Sequence, residues 1–249
     1  MKYKKIGNIL ILDKKVKNLS KEEIDKLLVE QKVKTIIQIN KIEGTKRKPN
    51  IKIIAGSNSE TIHKENGCLF KLDLAKVMWS KGNSHERLRV AKEVTPDEVV
   101  LDMFAGIGYF SIPIAVHSKA SKIYSIEINP ESYYYLNENI RLNEINKYDK
   151  RIETFLGDSK VITSKFKVDR VLMGYVKTTH YYLESGINSL KKGGIIHYHE
   201  TVPEKIMHTR PINRIKKIAG SREVELINTR KIKKYSPGVI HVVVDAKVF

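Results

Sequence analysis

Short apolar runs alternate with amphipathic segments along the later part of the chain. Their length and their content of β-branched residues are typical of buried strands. They predict seven strands, at residues 99–103, 122–128, 151–156, 168–174, 194–200, 223–229 and 239–248. Helix-like segments join the first five, as in a parallel sheet, and a turn at 233–238 joins the last two as an antiparallel hairpin. The pattern predicts an α/β domain with one seven-stranded sheet.

The first part of the chain has a different pattern. One helix is predicted at residues 20–31, where Ser20 and Glu23 have the spacing of a capping box. Around it are strand-like runs at residues 9–12, 35–39, 51–54, 61–63 and 68–73. We therefore expect a small α+β domain at residues 1–83, followed by the α/β domain at residues 84–249.

A glycine-rich turn at residues 102–110 separates the first strand of the sheet from a helix. Gly106 and Gly108 allow a tight turn and a close approach of backbone to ligand, whereas Ser111 stands where a dinucleotide fingerprint has its third glycine. Glu127 ends the second strand, where a carboxylate accepts ribose hydroxyls, and Asp158 follows the third strand, near an adenine edge. These positions favour S-adenosylmethionine over NAD as the cofactor.

Simpler interpretations exist for the same residues. A lone Gly-x-Gly segment also marks a purely structural turn, and Glu127 could be a solvated strand end. Asp158 could serve only as the N-cap of the helix that follows it.

A helix is also predicted at residues 84–93, between the two domains. Asn83 and Glu86 have capping-box spacing, and Thr95-Pro96 ends the helix. Arg87 and Arg89 diverge by about 200° around such a helix. We expect one of them to point into the cofactor cleft and the other to face solvent or nucleic acid.

The charge of the chain indicates a polyanionic partner. Its 46 Lys and Arg against 28 Asp and Glu give a formal net charge of +18, and 41% hydrophobic residues suffice for a sizeable core. Basic runs occur at residues 41–49, 210–217 and 230–234, and 44–50 is predicted as a mobile loop that closes on RNA. A solvated basic surface is the alternative.

Cysteine content and hydropathy bear on where the protein is located. Cys68 is the single cysteine, which fits a reducing compartment, and the sequence has no long apolar segment of the kind that spans a membrane. We expect a cytoplasmic monomer with no membrane association.

With these residues in place, the chain resembles the family of tRNA guanine-37 modifying enzymes. That family contains an N1-methyltransferase and the wybutosine-synthesising aminocarboxypropyl transferase. The marks of the resemblance include the glycine-rich turn and six further segments, of which the last three are the more specific. They are residues 84–89, 126–130, 157–158, 169–175 (Asp-Arg-Val-Leu-Met-Gly-Tyr), 196–200 (Ile-His-Tyr-His-Glu) and 235–238 (Tyr-Ser-Pro-Gly).

The resemblance implies a fold and two alternative activities. The fold is a class I methyltransferase-like (Rossmann-like) sheet with a small N-terminal α+β domain. The methylating branch carries an Asn-Leu-Pro type turn where this chain has Met173-Gly174-Tyr175. The chain therefore looks like the other branch, which transfers the 3-amino-3-carboxypropyl group of S-adenosylmethionine to a tricyclic guanosine at position 37, in the anticodon loop of phenylalanine tRNA. A methyltransferase and a noncatalytic RNA-binding module remain alternatives.

The resemblance also implies a set of site residues. Glu127 would hold the ribose, Asp158 and Ser159 the adenine, and the turn beginning at Phe104 would back the adenosine. The cofactor-binding residues expected in full are Ser80, Arg87, Phe104, Ala105, Gly106, Glu127, Ile128, Asp158 and Ser159. For Ser80 the alternative is a plain loop hydroxyl, and for Arg87 a helix-surface ion pair.

Three residues are candidates for work at the reacting groups: Arg87, Tyr175 and His199. Tyr175 could stack on the target base or belong to the core. His197 and His199 are expected to share one face at the end of the fifth strand, with Glu200 beside them. Because no third ligand with recognisable spacing follows, we expect no metal and assign His199 to the modified base or to a structural hydrogen bond.

Overall fold

The structure, a computed structural model, describes residues 2–16, 18–44, 47–147, 151–176 and 178–249. It divides into two compact units, Met1–Ser80 and Lys81–Phe249. In the described part of the chain, no helix has both the length and the apolar character needed to cross a membrane.

The first unit is an α+β module. Strands β1 to β4 form one sheet in the order β1-β2-β3-β4, and β5 and β6 form a separate hairpin. Their bounds are β1 Tyr3–Ile6, β2 Ile9–Leu12, β3 Thr35–Glu43, β4 Lys48–Ala55, β5 Glu60–Glu65 and β6 Cys68–Asp73. Helix α1, Lys21–Glu30, begins with the predicted capping box, since Ser20 Oγ accepts from Glu23 N and Glu23 Oε2 accepts from Ser20 N.

Two expectations for this unit need correction. The strand β1 is absent from the sequence prediction because Tyr3, Lys4 and Lys5 are exposed and give no apolar run. The predicted loop at 44–50 is too long, because Lys48 to Asn50 pair with Glu43 to Lys41 as part of β4. Pro49 fits this edge strand because proline lacks the N–H that a central strand needs. Thr45 and Lys46 lie outside the described residues.

The second unit is built on the predicted seven-stranded sheet. Its order is β12-β13-β11-β10-β7-β8-β9. The strands are β7 Val99–Asp102, β8 Lys122–Glu127, β9 Ile152–Leu156, β10 Val168–Met173, β11 Leu190–Pro203, β12 Val224–Ser236 and β13 Val239–Val248. The first five are parallel, and β13 runs antiparallel to both β11 and β12. These findings confirm the predicted parallel core and terminal hairpin. The turn predicted at 233–238 is too long, because β12 pairs with β13 as far as Ser236, opposite Val239.

Among the described residues, six α-helices accompany the sheet. They are α2 Ser84–Glu93, α3 Ser111–His117, α4 Pro130–Leu142, α5 Ser159–Ile162, α6 Leu183–Ser189 and α7 Arg210–Ala219. The core on one side of the sheet joins strand residues such as Val171, Ile196 and Val244 to Leu183 of α6 and Ile215 of α7. After β9 the chain returns to the other side of β7 to form β10. This reversal opens a crevice at the carboxyl ends of β7 and β10, the usual ligand site of such sheets.

The strand β11 is longer than the sequence pattern indicates. It pairs with β13 from Gly194, opposite Val248, to Pro203, opposite Val239. Because of that partner, His197 and His199 lie inside the strand and are buried. The expectation that they sit at the strand end is wrong.

Candidate cofactor and acceptor site

The glycine-rich turn lies at the crevice and needs both of its glycines. Gly106 has φ +60° and Gly108 has φ +97°, a backbone region that side chains rarely adopt. A Cβ on Gly108 would be 2.5 Å from Ile112 Cγ1, and one on Gly106 would be 2.5 Å from Tyr109 Cε2. Backbone shape and close packing together therefore fix this turn.

A buried polar chain lies beneath the turn. Ser111 Oγ donates to Asp102 Oδ2 and Ser125 Oγ donates to Ser111 Oγ, each over 2.8 Å. Burial raises the pKa of the Asp102 carboxyl to about 6, although hydrogen bonds from Ser111 and from the Phe104 backbone oppose that rise. Ser111 thus replaces the third glycine with a hydroxyl that ties α3 to β7 and β8.

Glu127 is held firmly at the end of β8. Its Oε2 accepts from Gly106 N and its Oε1 accepts from Asn129 N, both over 2.7 Å. Burial raises the pKa of the Glu127 carboxyl, and the backbone donors work against this effect. Such a carboxylate differs from a solvated strand end and retains lone pairs for ribose hydroxyls. Ile128, the next residue, is exposed.

Asp158 and Ser159 follow β9. Asp158 Oδ1 accepts from Lys160 N over 2.9 Å, so Asp158 is the N-cap of α5, as its simpler interpretation supposed. Ser159 is buried, and its Oγ donates to Met103 O over 2.6 Å, which joins the ends of β9 and β7. Their predicted contacts with adenine stay predictions.

Three aromatic rings cluster where β7 and β10 end. The Phe104 ring centroid lies 5.5 Å from that of Tyr175 and 5.0 Å from that of Tyr182. Tyr175 and Tyr182 are half-buried, and their neighbour Tyr181 is 63% exposed. The cluster therefore presents ring surface to the crevice without belonging wholly to the core.

Gly174 sits in the turn at which, according to the resemblance, the two alternative activities differ. A Cβ at this position would be 2.8 Å from Cε2 of the buried Phe110 ring. Phe110 in turn packs its ring at 70° to the His199 ring, with the centroids 5.5 Å apart. Only glycine fits here while Phe110 keeps this position.

The α2 helix contributes two arginines that turn inward, Arg87 buried and Arg89 partly buried, which corrects two expectations. Arg87 is 2% exposed, and its guanidinium carbon lies 4.9 Å from the Tyr109 ring centroid, so it is not a surface ion pair. Arg89 turns towards the sheet and binds Glu86, Glu93 and Asp245, so neither arginine faces solvent. Asn83 makes no side-chain capping bond, since its Oδ1 accepts from Lys233 Nζ over 3.0 Å and the Glu86 side chain binds Arg89. Ser80 lies in the first unit, and its cofactor role stays a prediction.

His197 belongs to an ionic network on the same face of the sheet. Arg170 Nη1 donates to His197 Nε2 over 2.6 Å, and a guanidinium only donates, so His197 Nδ1 carries the proton that Asp245 Oδ1 accepts at 2.6 Å. Ligand atoms of Glu93, His197 and Asp245 come within 4.8 Å of one another. Arg89 and Arg170 already engage these groups, an arrangement of ion pairs rather than of metal ligands.

His199 and Glu200 point to opposite faces of β11. His199 Nδ1 lies 3.0 Å from His241 Nε2, and burial lowers the pKa of His199 to about 3 and that of His241 to about 2. Glu200 binds Tyr198, Arg210 and Arg214 on the other face. His199 therefore makes the structural hydrogen bond that was one of its two interpretations.

Sequence spacing assigns no role to Tyr109, Phe110, Arg170 or Asp245. The first two lie inside the glycine-rich segment, but their contacts are with residues distant in the chain. Arg170 and Asp245 are charged residues within otherwise apolar strands. Because a buried charged side chain is rarely left unpaired, the sequence did indicate that each of them has a partner.

Comparison with known proteins gives consistent matches. The model of the TRM5/TYW2 methyltransferase domain matches residues 61–227. A tRNA(Phe) (4-demethylwyosine(37)-C(7)) aminocarboxypropyltransferase from Methanocaldococcus jannaschii is 51% identical over 250 residues, covering 99% of this chain and 98% of that protein.

Two crystal structures are also similar. M. jannaschii TYW2 in complex with AdoMet has a TM-score of 0.80 and 46% identity, with 99% of each chain covered. P. horikoshii TYW2 in complex with MeSAdo has a TM-score of 0.87 and 38% identity, with 100% of this chain and 90% of that chain covered. The predicted class I methyltransferase-like fold is confirmed.

Proposed function

The chain belongs to the TRM5/TYW2 methyltransferase-domain family, and from that premise we propose that it is an S-adenosylmethionine-dependent tRNA aminocarboxypropyl transferase. It transfers the 3-amino-3-carboxypropyl group to 4-demethylwyosine at position 37 of phenylalanine tRNA and releases methylthioadenosine. The observation that carries this proposal is 51% identity, over essentially the whole of both chains, to a relative named for this activity. The resemblance inferred from sequence motifs is thereby confirmed.

The chemistry is a choice among three electrophilic carbons on one sulfonium. The relative's name puts the new bond on C7 of the base. That carbon attacks the first carbon of the aminocarboxypropyl group, the bond from this carbon to sulfur breaks, and its electron pair stays on the departing thioether. The base then loses a proton. Holding the reacting carbon in line contributes up to about 7 to 11 kcal/mol of rate acceleration.

The residues of the second unit fit this positional task. Glu127, with both carboxylate oxygens already oriented by backbone donors, holds the ribose. Arg87 is buried one turn into α2, where its guanidinium would bind the carboxylate of the amino-acid tail through paired N–H donors. Turning that tail towards the RNA, and the methyl group away from it, gives aminocarboxypropyl transfer.

Phe104, Tyr175 and Tyr182 supply the surface for the acceptor. An enzyme that acts on an anticodon-loop base takes it out of its stack and lays it on aromatic side chains. Tyr175 follows β10, at the crevice, and its half-buried ring is supported by Phe104. Tyr175 is therefore the favoured stacking residue.

The tRNA backbone meets a basic surface at the carboxyl edge of the sheet. The strand β12 runs parallel to β11, because both pair antiparallel with β13, so the basic run at 230–234 lies towards that edge. In the run at 210–217, Arg210 and Arg214 are already engaged by Glu200. Lys205 and Lys234 are exposed, and we favour them as the contacts with the tRNA backbone. We propose that the protein acts as a monomer in the cytoplasm.

The test uses S-adenosylmethionine labelled separately in the methyl carbon and in the carboxypropyl carbons. Label entering tRNA from the carboxypropyl carbons alone, with methylthioadenosine released, is the expected result. Methyl label in the tRNA would instead support the alternative, a guanine-37 N1-methyltransferase. Binding of tRNA with neither label transferred would leave a noncatalytic RNA-binding protein and would overturn the proposal.

A further inference from the structure

The Tyr109 ring lies between the glycine-rich turn and Arg87. A Cβ on Gly106 would be 2.5 Å and 2.6 Å from Tyr109 Cε2 and Cδ2, so the ring covers the place where that side chain would be. The guanidinium carbon of Arg87 lies over the same ring, 4.9 Å from its centroid. Tyr109 itself is half-buried.

A guanidinium over an aromatic face is attracted by the negative face of the ring, and the attraction grows as water is excluded. Arg87 is almost fully buried, so its attraction to the ring should be as strong as that of a cation–π contact from which water is excluded. Stacking uses the flat face of the guanidinium. Its N–H groups point outward in the plane, which is the arrangement that binds a carboxylate through two parallel hydrogen bonds.

We propose that Tyr109 is the positioning residue that holds the Arg87 guanidinium in the orientation that binds the α-carboxylate of S-adenosylmethionine. This inference rests on the proposed function. It assigns to Tyr109 the selection of the tail's direction, and therefore of the carbon that faces the RNA.

The same contacts link both ends of the cofactor. Gly106 donates its N–H to Glu127, the ribose acid, and lies under the ring that carries Arg87. Glu127, Gly106, Tyr109 and Arg87 thus form a continuous line of contacts. Through it the ribose position and the carboxylate position are set relative to each other.

The experiment compares three ligands that differ in the tail. S-adenosylmethionine has the carboxylate, decarboxylated S-adenosylmethionine lacks it, and methylthioadenosine lacks the whole tail. Their dissociation constants are measured by calorimetry for the parent protein and for Tyr109→Phe, Tyr109→Leu, Tyr109→Met and Arg87→Ala. Tyr134→Leu is the matched control, because Tyr134 is a half-exposed tyrosine of α4. Circular dichroism checks that each variant is folded. If Tyr109→Leu does not fold, Tyr109→Met is used in its place.

Tyr109→Leu is expected to weaken S-adenosylmethionine binding by about tenfold or more, the size of a desolvated cation–π contact. Binding of the other two ligands should change less than about twofold, as should every ligand with Tyr109→Phe and Tyr134→Leu. In the dual-label assay, Tyr109→Leu should lower the ratio of carboxypropyl to methyl transfer. A ring with only a structural role would not shift that ratio.

The possible failures are distinguishable. If Arg87→Ala selectively loses S-adenosylmethionine while Tyr109→Leu does not, the inference is overturned and the proposed function stands. Equal weakening of all three ligands by Tyr109→Leu would mean that the ring only supports the turn, which also overturns it. If Arg87→Ala treats the three ligands alike, the carboxylate role of Arg87 fails and the inference fails with it. Absence of S-adenosylmethionine binding to the parent would refute the proposed function itself.

Discussion

At the scale of single residues, Glu127 combines a structural role with a binding role. It satisfies the backbone donors of Gly106 and Asn129 and offers its remaining lone pairs to the ribose. We expect Glu127→Ala to raise the S-adenosylmethionine dissociation constant by about tenfold to a hundredfold, since hydrogen bonds to a charged group contribute about 1.5–3 kcal/mol. Affinity for tRNA should stay nearly the same.

Calorimetry with the cofactor and filter binding with tRNA measure the two affinities. Glu184→Ala, which removes an exposed carboxylate of α6, is the control and should change neither. Equal cofactor affinity in Glu127→Ala and the parent would remove Glu127 from the site.

The buried imidazole pair makes stability depend on pH. Burial, above all, lowers the pKa of His199 to about 3 and of His241 to about 2, and the positive charge of Lys233 adds to both shifts. Among the other titratable neighbours of His199, His197 and Arg89 lower its pKa and Asp245 raises it. Below the ordinary value of 6.5 the unfolded chain therefore binds protons that the folded chain does not, so stability falls as pH falls.

We expect His241→Asn to reduce the acid dependence of stability. As the pH falls from about 6 to about 4, each such histidine lowers the free energy of unfolding by about 1.4 kcal/mol per pH unit. The pair therefore lowers it by about 2.7 kcal/mol per pH unit. The asparagine side chain does not titrate, so about half of the pair's slope should disappear. Asp102, whose raised pKa contributes in the opposite direction, is common to both proteins and cancels in the difference. Urea denaturation at several pH values gives the slopes, and identical slopes would contradict this account.

Spacing along the chain predicts residues whose role depends on strand ends. Glu127 could be found because a carboxylate one βαβ unit after a glycine turn has few other uses. Tyr109 could not, because its partner Arg87 comes from a helix that precedes the strand, and no local pattern joins them. The role of Asp245 could not be predicted either, since it depends on the strand register that places Asp245 opposite His197.

At the scale of elements, Arg89 fastens α2 to the sheet. It bridges the helix residues Glu86 and Glu93 to Asp245 of β13, and both Glu86 and Asp245 are buried. Burial alone would raise the pKa of Asp245, but His197 and Arg89 bring it below its ordinary value. The position of α2, and of Arg87 on it, therefore depends on charges that need one another.

We expect Arg89→Leu to lower the free energy of unfolding by about 3–5 kcal/mol, because it leaves buried carboxylates without their partner. Arg141→Leu is the control, since Arg141 pairs with Glu138 at 71% side-chain exposure and such pairs contribute about 1 kcal/mol at most. Urea denaturation of both variants measures the difference. Similar losses in the two would mean that the buried network does not fasten α2.

The elements themselves were largely predictable where apolar periodicity is strong. Most strands of the sheet, α1 and α2 were expected close to their observed positions, but β12 runs on to Ser236, well past its predicted end at residue 229. The extension of β11 was not expected either, because its outer residues follow the pairing with β13 rather than their own pattern. The capping bond of Asn83 failed for a related reason: its Oδ1 accepts from Lys233 of β12, and Glu86 binds Arg89.

At the scale of the whole molecule, the net charge of +18 is distributed between internal and external uses. Arg89, Arg170, Arg210 and Arg214 are engaged with carboxylates of the fold. The number of these charges is known from the sequence, but the sequence does not show which of them form ion pairs within the fold. The exposed lysines therefore produce most of the electrostatic attraction for a polyanion, and their positions on the sheet determine which of them contact it.

The two ends of the second unit allow a matched comparison of these lysines. Lys205 follows β11 and Lys234 lies near the end of β12, so both are at the carboxyl edge, where the site is. Lys216 and Lys217 lie in the last turn of α7, near the opposite edge, because Arg222 just beyond that helix donates to Lys191 O at the start of β11. All four are exposed.

We expect Lys205→Gln/Lys234→Gln to weaken tRNA binding and to reduce its dependence on salt, while Lys216→Gln/Lys217→Gln, with the same change in net charge, does neither. Each phosphate contact on single-stranded RNA contributes about 0.7 to the slope of log affinity against log salt, so two lost contacts remove about 1.4. Filter binding from low to high salt gives the slopes. Because a nonspecific field responds to total charge alone, equal losses in the two double variants would place the tRNA elsewhere, and only an unequal loss fits a surface beside the crevice.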